Sequence, residues 1–244
     1  MGVDYEQMRY QVAGINHMAW FLDLSLNGVD LYPRLENCLE EPETVKKDPV
    51  RFEIFKQFGR FVTESSRHMA EYVPYFMRSD VEVERLDIPV SWLEKVEKFR
   101  QARAIRNRKM TTDPSIEIRR SNEYAARIIH AIETDTPAYI YGNVLNTGLV
   151  SNLPNGCCVE VPCLVNRAGL QPCYIGDLPP QCAALCRTNV NTQELTVRAI
   201  LEKNRDYIYH AAMLDPNTSA QITLPQIRTT MDQLLDAQKH LIEV

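Results

Sequence analysis

The spacing of apolar positions changes several times along the chain. In "AGINHMAWFLDL" the run Met18, Ala19, Trp20, Phe21 and Leu22 follows Gly14 and reads as a strand, and Asn27-Gly28 supplies the left-handed residues of a tight turn. Val50, Ile54, Phe55 and Phe58 then recur at helical spacing in "DPVRFEIFKQFGR", which predicts a helix ending at Gly59. Another helix is expected in "WLEKVEKFRQARAIR". Ser91 and Glu94 form its capping-box pattern, Trp92, Leu93, Val96 and Phe99 share one face, and Lys and Arg take the wet side.

After Ser121 a further helix is predicted through "EYAARIIHAIE", stopping near Pro137. There the period shortens. "AYIYGNV" and "CCVEVPCLV" are rich in β-branched and aromatic residues, and "NRAG" before "LQPCYIG" has the form of a hairpin turn. From Pro179 the helical pattern returns, and Thr223 with Gln226 caps a last amphipathic helix carrying Ile227, Met231, Leu234, Leu235 and Leu241. The expected fold class is α+β, a small, mostly antiparallel sheet surrounded by helices.

Composition narrows the function classes. At 244 residues and 45% hydrophobic, the chain can bury a full core, and a net charge of −5 gives no broad basic field for nucleic acid or an anionic membrane. The basic run Arg100 to Lys109 reads as a solvated helix face and loop. No apolar signal-peptide core opens "MGVDYEQMRY", and no run approaches the roughly 20 apolar residues of a membrane helix. A cytoplasmic location is the expectation. Seven cysteines, with no C-x-x-C pair, suit free core thiols rather than a zinc site or a disulfide framework.

Three residues could carry chemistry. His17, beside Asn16 and near Gly14, is either a packed ring or a metal ligand, and spacing alone does not decide. Glu64 stands in "FVTESSRH" near His68, as an acid held in a pocket or as part of a capping cluster with Thr63, Ser65 and Ser66. Glu160 lies in a strand between Val159 and Val161, where a carboxylate either faces water or meets a partner. The sequence contains no G-x-G-x-x-G, G-x-S-x-G or H-E-x-x-H, so no dinucleotide loop, nucleophile elbow or zincin helix is written in it.

Four separated blocks, "YQVAGINHMAWFLDL", "RFEIFKQFGRFVTESSRHMAEYVPYF", "IYGNVLNTGLVSNLPNGCCVEVPCLV" and "EKNRDYIYHAAMLDP", closely resemble the α-galactosidase branch of glycoside hydrolase family 4. The resemblance runs from about Tyr5 to about Ser219. It implies a C-terminal catalytic and substrate domain over 1–244, with the topology that this family shares with lactate and malate dehydrogenases. An N-terminal Rossmann half, with the NAD site and a Cys metal ligand, would precede Met1.

The implied chemistry is an exception to two-carboxylate glycosidases. The sugar is oxidised at C3 with NAD, the C2 proton becomes acidic, the glycosidic bond leaves by elimination, and water adds. A divalent metal, usually manganese (Mn2+), holds O2 and O3. By the same resemblance His17 matches the metal-binding His, and Asn16 lines the metal and sugar site. Glu64 is the candidate C2 base, with Tyr72 as the alternative, because the family's Tyr is missing from "GRFVTESSRH". Arg120 with Ser121 in "RRSNEY", and Asn146 in "NTGLVSNLP", are expected sugar contacts.

The implied substrate is an α-galactoside, and the chain is expected to be inactive alone and to belong to a homo-oligomer. A relative acting on an α-glucoside or an α-galacturonide, or a non-catalytic sugar-binding or oligomerisation fragment, remain as other readings.

Overall fold

A computed structural model describes residues 2–88, 92–112 and 123–242, without the side chains at 92–95 and 109–112. Its centre is an antiparallel sheet. The strands β1 (Met8–Ile15), β2 (Met18–Leu26), β3 (Val29–Asp30), β4 (Ala138–Leu145), β5 (Cys158–Asn166) and β6 (Gly169–Pro172) lie in the order β3-β2-β1-β5-β4, with β6 also on β5. β1 and β2 form a hairpin closed by the pair Ile15 and Met18, so its two-residue tip is Asn16-His17. Only a tight turn fits there, and His17 accordingly takes a left-handed φ of 63°. The turns expected at Asn27-Gly28 and over "NRAG" both form, the second closing on the pair Asn166 and Gly169.

Strand alternation decides which side chains reach the core. Val159, Val161, Cys163 and Val165 of β5, with Ile140 of β4, Ala13 and Ile15 of β1, and Met18 and Trp20 of β2, are buried together. Against them pack Cys182, Ala183, Cys186 and Val190 of the helix Pro180–Glu202 and Val50 and Ile54 of the helix Pro49–Phe58. Trp20 Nε1 donates to Cys186 Sγ at 3.5 Å, and Cys186 Sγ donates to Met18 O at 3.5 Å, so the thiol joins the helix to the hairpin. All seven cysteines are free thiols. Burial pushes Cys182 and Cys186 up to about 12, which makes them inert core groups.

The helix Pro49–Phe58 ends at Gly59 with φ 69°, a C-cap that a residue with a Cβ would strain. The helices Ala125–Thr134 and Leu224–Ala237 form as expected, the latter with its Thr223–Gln226 capping box. Its Ile227 is buried, but Leu234 and Leu241 are exposed, and Leu241 falls beyond the helix end. The helix Trp92–Thr112 also forms, but its expected apolar face is covered only in part where it is described: Val96 is half-buried and Phe99 is 74% exposed. Ser91, and with it the expected capping box, lies outside the described residues, as do Arg120 and Ser121. Among the described residues no helix is long and apolar enough to cross a membrane.

Candidate functional site

The hairpin tip meets a loop that runs along the edge of β2. Residues Phe61 to Thr63 run beside β2: Phe21 N donates to Phe61 O, Thr63 N donates to Ala19 O, both at 2.9 Å, and Trp20 bridges to Val62. Glu64 is the next residue, and this pairing carries it to the tip of β1-β2.

A second set of bonds fixes the far end of the loop. Asp48 and Ser66 begin two different helices, Pro49–Phe58 and Ser66–Tyr72, and each caps the other's helix. Ser66 N donates to Asp48 Oδ1 at 3.0 Å, while Val50 N and Arg51 N donate to Ser66 Oγ at 3.1 and 3.3 Å. Ser66 Oγ itself donates to Asp48 Oδ1 at 2.6 Å. The Asp48 carboxylate thus completes the first turn of the helix Ser66–Tyr72, the Ser66 hydroxyl that of Pro49–Phe58, and negative charge is favoured at both N-termini. The capping cluster expected of Thr63, Ser65 and Ser66 is thus replaced by a cap from Asp48, and Ser65 makes no side-chain cap bond.

Arg51 closes the brace. Its guanidinium donates to Val62 O at 3.1 and 2.7 Å and to Thr63 O at 3.3 Å, pairs with Asp48 Oδ2 at 2.6 Å, and lies 4.4 Å from the Phe61 ring centroid. Glu64 sits between two anchored points, the Arg51-bound carbonyls before it and the Asp48-bound Ser66 after it.

Held this way, Glu64 Oε1 lies 3.5 Å from His17 Nδ1. The His68 ring stacks on His17 with centroids 4.3 Å apart and planes at 22°. His17, Glu64 and His68 each bring one ligand atom within 4.8 Å of the others. His17 Nδ1 is buried and has no hydrogen-bond partner, although Glu64 Oε1 stands 3.5 Å away. Such an atom calls for a ligand. Two imidazoles and a carboxylate are a donor set suited to a first-row divalent cation. His68 Nδ1 lies 3.3 Å from Glu71 Oε2, and Glu71 in turn takes Arg67 Nε at 2.9 Å, the kind of outer partner that orients a ligating imidazole.

Tyr72 presents its ring edge to His17 at 5.8 Å. Burial, then the charges of Glu71 and Glu64, push its phenol up, so it stays protonated near neutrality. Asn16 is exposed at the hairpin tip, where its Oδ1 accepts from Asn143 Nδ2 at 3.4 Å. Glu160 of β5 is paired across the sheet with Gly14 on one side and Asn143 on the other, facing away from the packed valines.

His17, Glu64, Tyr72 and Asn16 are therefore brought together, and His68, which the sequence reading passed over as a ligand, joins them. Its spacing from Glu64, four residues, was the available signal. Asn146 has a different place. It is 1% exposed, its Nδ2 donates to the carbonyls of Val150, Leu153 and Pro154 at 3.0–3.1 Å, and its Oδ1 accepts from Val150 N. With both ends of the amide spent on the loop, it is a brace, and no group remains for the expected sugar contact.

Comparison with known proteins gives the family. The model of the family 4 glycosyl hydrolase C-terminal domain matches residues 12–218. The chain is 40% identical to an α-galactosidase of Bacillus subtilis over 97% of its length and 56% of that protein. It is 32% identical to an α-galactosidase of Rhizobium meliloti over 98% of its length and 51% of that protein. A 6-phospho-α-glucosidase from gut microorganisms, solved in complex with NAD and Mn2+, shares the fold with a TM-score of 0.71 and 20% identity, over 99% of this chain and 57% of that one. The fold and the sequence thus define a glycosidase domain. The chain belongs to glycosyl hydrolase family 4, and it spans about half the length of the relatives it matches.

Proposed function

We propose that this chain is the sugar-binding and metal-binding half of an α-galactosidase that works with NAD and divalent manganese. The observation that carries the reading is the unpartnered Nδ1 of His17 within the His17, Glu64 and His68 cluster. The 40% identity to an α-galactosidase supports a galactoside rather than a galacturonide, since the α-galacturonidases are 22–26% identical.

In this reading His17 and His68 hold the cation, and Asn16 faces the sugar. When bound, a divalent cation supplies Lewis-acid stabilisation of negative charge on the sugar oxygens. Glu64 accepts the C2 proton: its carboxylate is the acidic group at the hairpin tip, 3.5 Å from His17 Nδ1, and the phenol of Tyr72 keeps its proton. Tyr72, kept protonated, serves as a hydroxyl donor rather than a base. Arg120 and Ser121 stay assigned to the sugar. NAD belongs to the part of the relatives that this chain does not span, as no G-x-G-x-x-G occurs here. We assign the protein to the cytoplasm and to a homo-oligomer on the family resemblance.

Joining the chain behind the N-terminal half of the Bacillus subtilis α-galactosidase tests the function. Hydrolysis of p-nitrophenyl α-galactoside that needs manganese and is abolished by His17→Ala is expected, and activity unaffected by His17→Ala overturns the reading. The 244-residue chain alone, with NAD and manganese added, is expected to give no turnover.

A further inference from the structure

The open face of the sheet carries one acidic side chain that the site as described does not use. Glu160 stands in a row across three strands, opposite Gly14 of β1 and Asn143 of β4. Directly paired residues in antiparallel strands project to the same face, with Cβ atoms roughly 5 Å apart. Gly14 has no side chain, so Asn143 alone flanks Glu160 in this row. Asn143 reaches on to Asn16, the neighbour of His17 at the hairpin tip. The row therefore leads from Glu160 through Asn143 and Asn16 to the unpartnered imidazole.

Glu160 is half-buried, yet among the described residues its carboxyl makes no hydrogen bond and no ion pair. Burial, and then the charge of Glu64, hold it well above the usual carboxylate range, so the field of the metal cluster reaches this residue. The carboxyl of Glu160 is partly desolvated, and no protein group is bonded to it among the described residues. The groups whose charge reaches Glu160 are Glu64 of the candidate site and, less directly, the phenol of Tyr124.

We propose that Glu160 is a further substrate-binding residue, whose carboxyl group hydrogen-bonds a ring hydroxyl of the glycoside held against His17. This deepens the α-galactosidase reading and rests on it. A carboxyl suits the task because it can accept from one or two neighbouring hydroxyls, and its position on a central strand gives it a fixed direction. Asn143 is then the positioning residue: it fills the other side of the row and ties it to Asn16.

The test uses the whole chain with manganese and methyl α-galactoside, followed by calorimetry. Manganese titration without sugar reports on the cluster, and sugar titration at saturating manganese reports on Glu160. Thermal unfolding confirms that each variant is folded. Glu160→Ala is expected to keep manganese affinity within about twofold and to weaken the glycoside by roughly 10-fold or more, the size of one hydrogen bond to a charged group. Glu160→Gln, which keeps the shape and one acceptor, should recover part of that loss. Unchanged glycoside affinity in a folded Glu160→Ala chain overturns this proposal and leaves the α-galactosidase reading standing. Loss of manganese binding in Glu160→Gln overturns it too, by making Glu160 part of the metal cluster. Failure of the unsubstituted chain to bind the glycoside overturns both.

Discussion

His17 Nδ1 lies 3.5 Å from Glu64 Oε1 without a hydrogen bond between them, although the imidazole nitrogen is buried. The two side chains come from a hairpin tip and from a loop 47 residues later in the sequence, and His68 stacks on the same ring. This is the geometry of groups that share a third party. Replacing His17 by Ala should weaken manganese binding by ~100-fold or more, since losing even an outer partner of a ligand costs about 10–100-fold. Titration of the chain with Mn2+, read by electron paramagnetic resonance, checks it; equal affinity in the variant would show the cluster to be an accident of packing.

Arg51 should matter to metal binding without touching the metal. Arg51→Met strips partners from the carbonyls of Val62 and Thr63 and breaks the pair with Asp48. A loss of about 2–4 kcal/mol is expected from two deprived carbonyls and one part-buried ion pair. Urea unfolding measures this. Manganese affinity should fall in the same variant, because the freed segment sets the place of Glu64, whose charge stands 3.5 Å from His17 Nδ1, whereas a core variant of equal destabilisation far from the loop, such as Ile227→Ala, should leave it unchanged.

Glu160 gives the fold a pH dependence of definite sign. Its carboxyl, pushed up to about 7 mainly by burial, holds a proton in the folded chain that the unfolded chain has already released above its ordinary value of 4.5. The folded state binds more protons between those values, so stability should fall as pH rises through that window and then level off. Glu160→Gln should flatten the change. Urea midpoints at about pH 5 and about pH 8, compared between the two chains, decide the matter; a wild-type chain that gains stability over this interval relative to the Gln variant contradicts the assignment.

Asn146→Ala should cost stability, about 2–4 kcal/mol, by leaving Val150 N and three carbonyls without their buried partner. If the residue were instead a sugar contact, the variant would retain its unfolding midpoint and lose glycoside affinity.

Much of the scaffold was legible in the sequence because its signals are local. The Gly59 stop, the Thr223–Gln226 box and the alternation of Val159, Glu160 and Val161 depend on residues at most four apart, and the structure follows each of them. The strand pattern left Glu160 either facing water or meeting a partner, and the structure puts it on the face opposite Val159 and Val161. What the pattern could not show was the occupant of the other face. Asn146 and Asn16 look alike as polar residues after a strand, and only burial separates a loop brace from a group at a hairpin tip. The Asp48 and Ser66 exchange was invisible for a related reason: each is an ordinary N-terminal residue of its own helix, and neither advertises a partner 18 positions away.

That exchange also bears on motion. Two helices whose first turns are completed by each other's side chains have no independent way to fray, so the amides of Val50, Arg51 and Ser66 should open to solvent together, at one rate, in hydrogen exchange. Glu64 lies inside the span that this shared event controls, so its approach to the imidazole pair is set before any ion or sugar arrives.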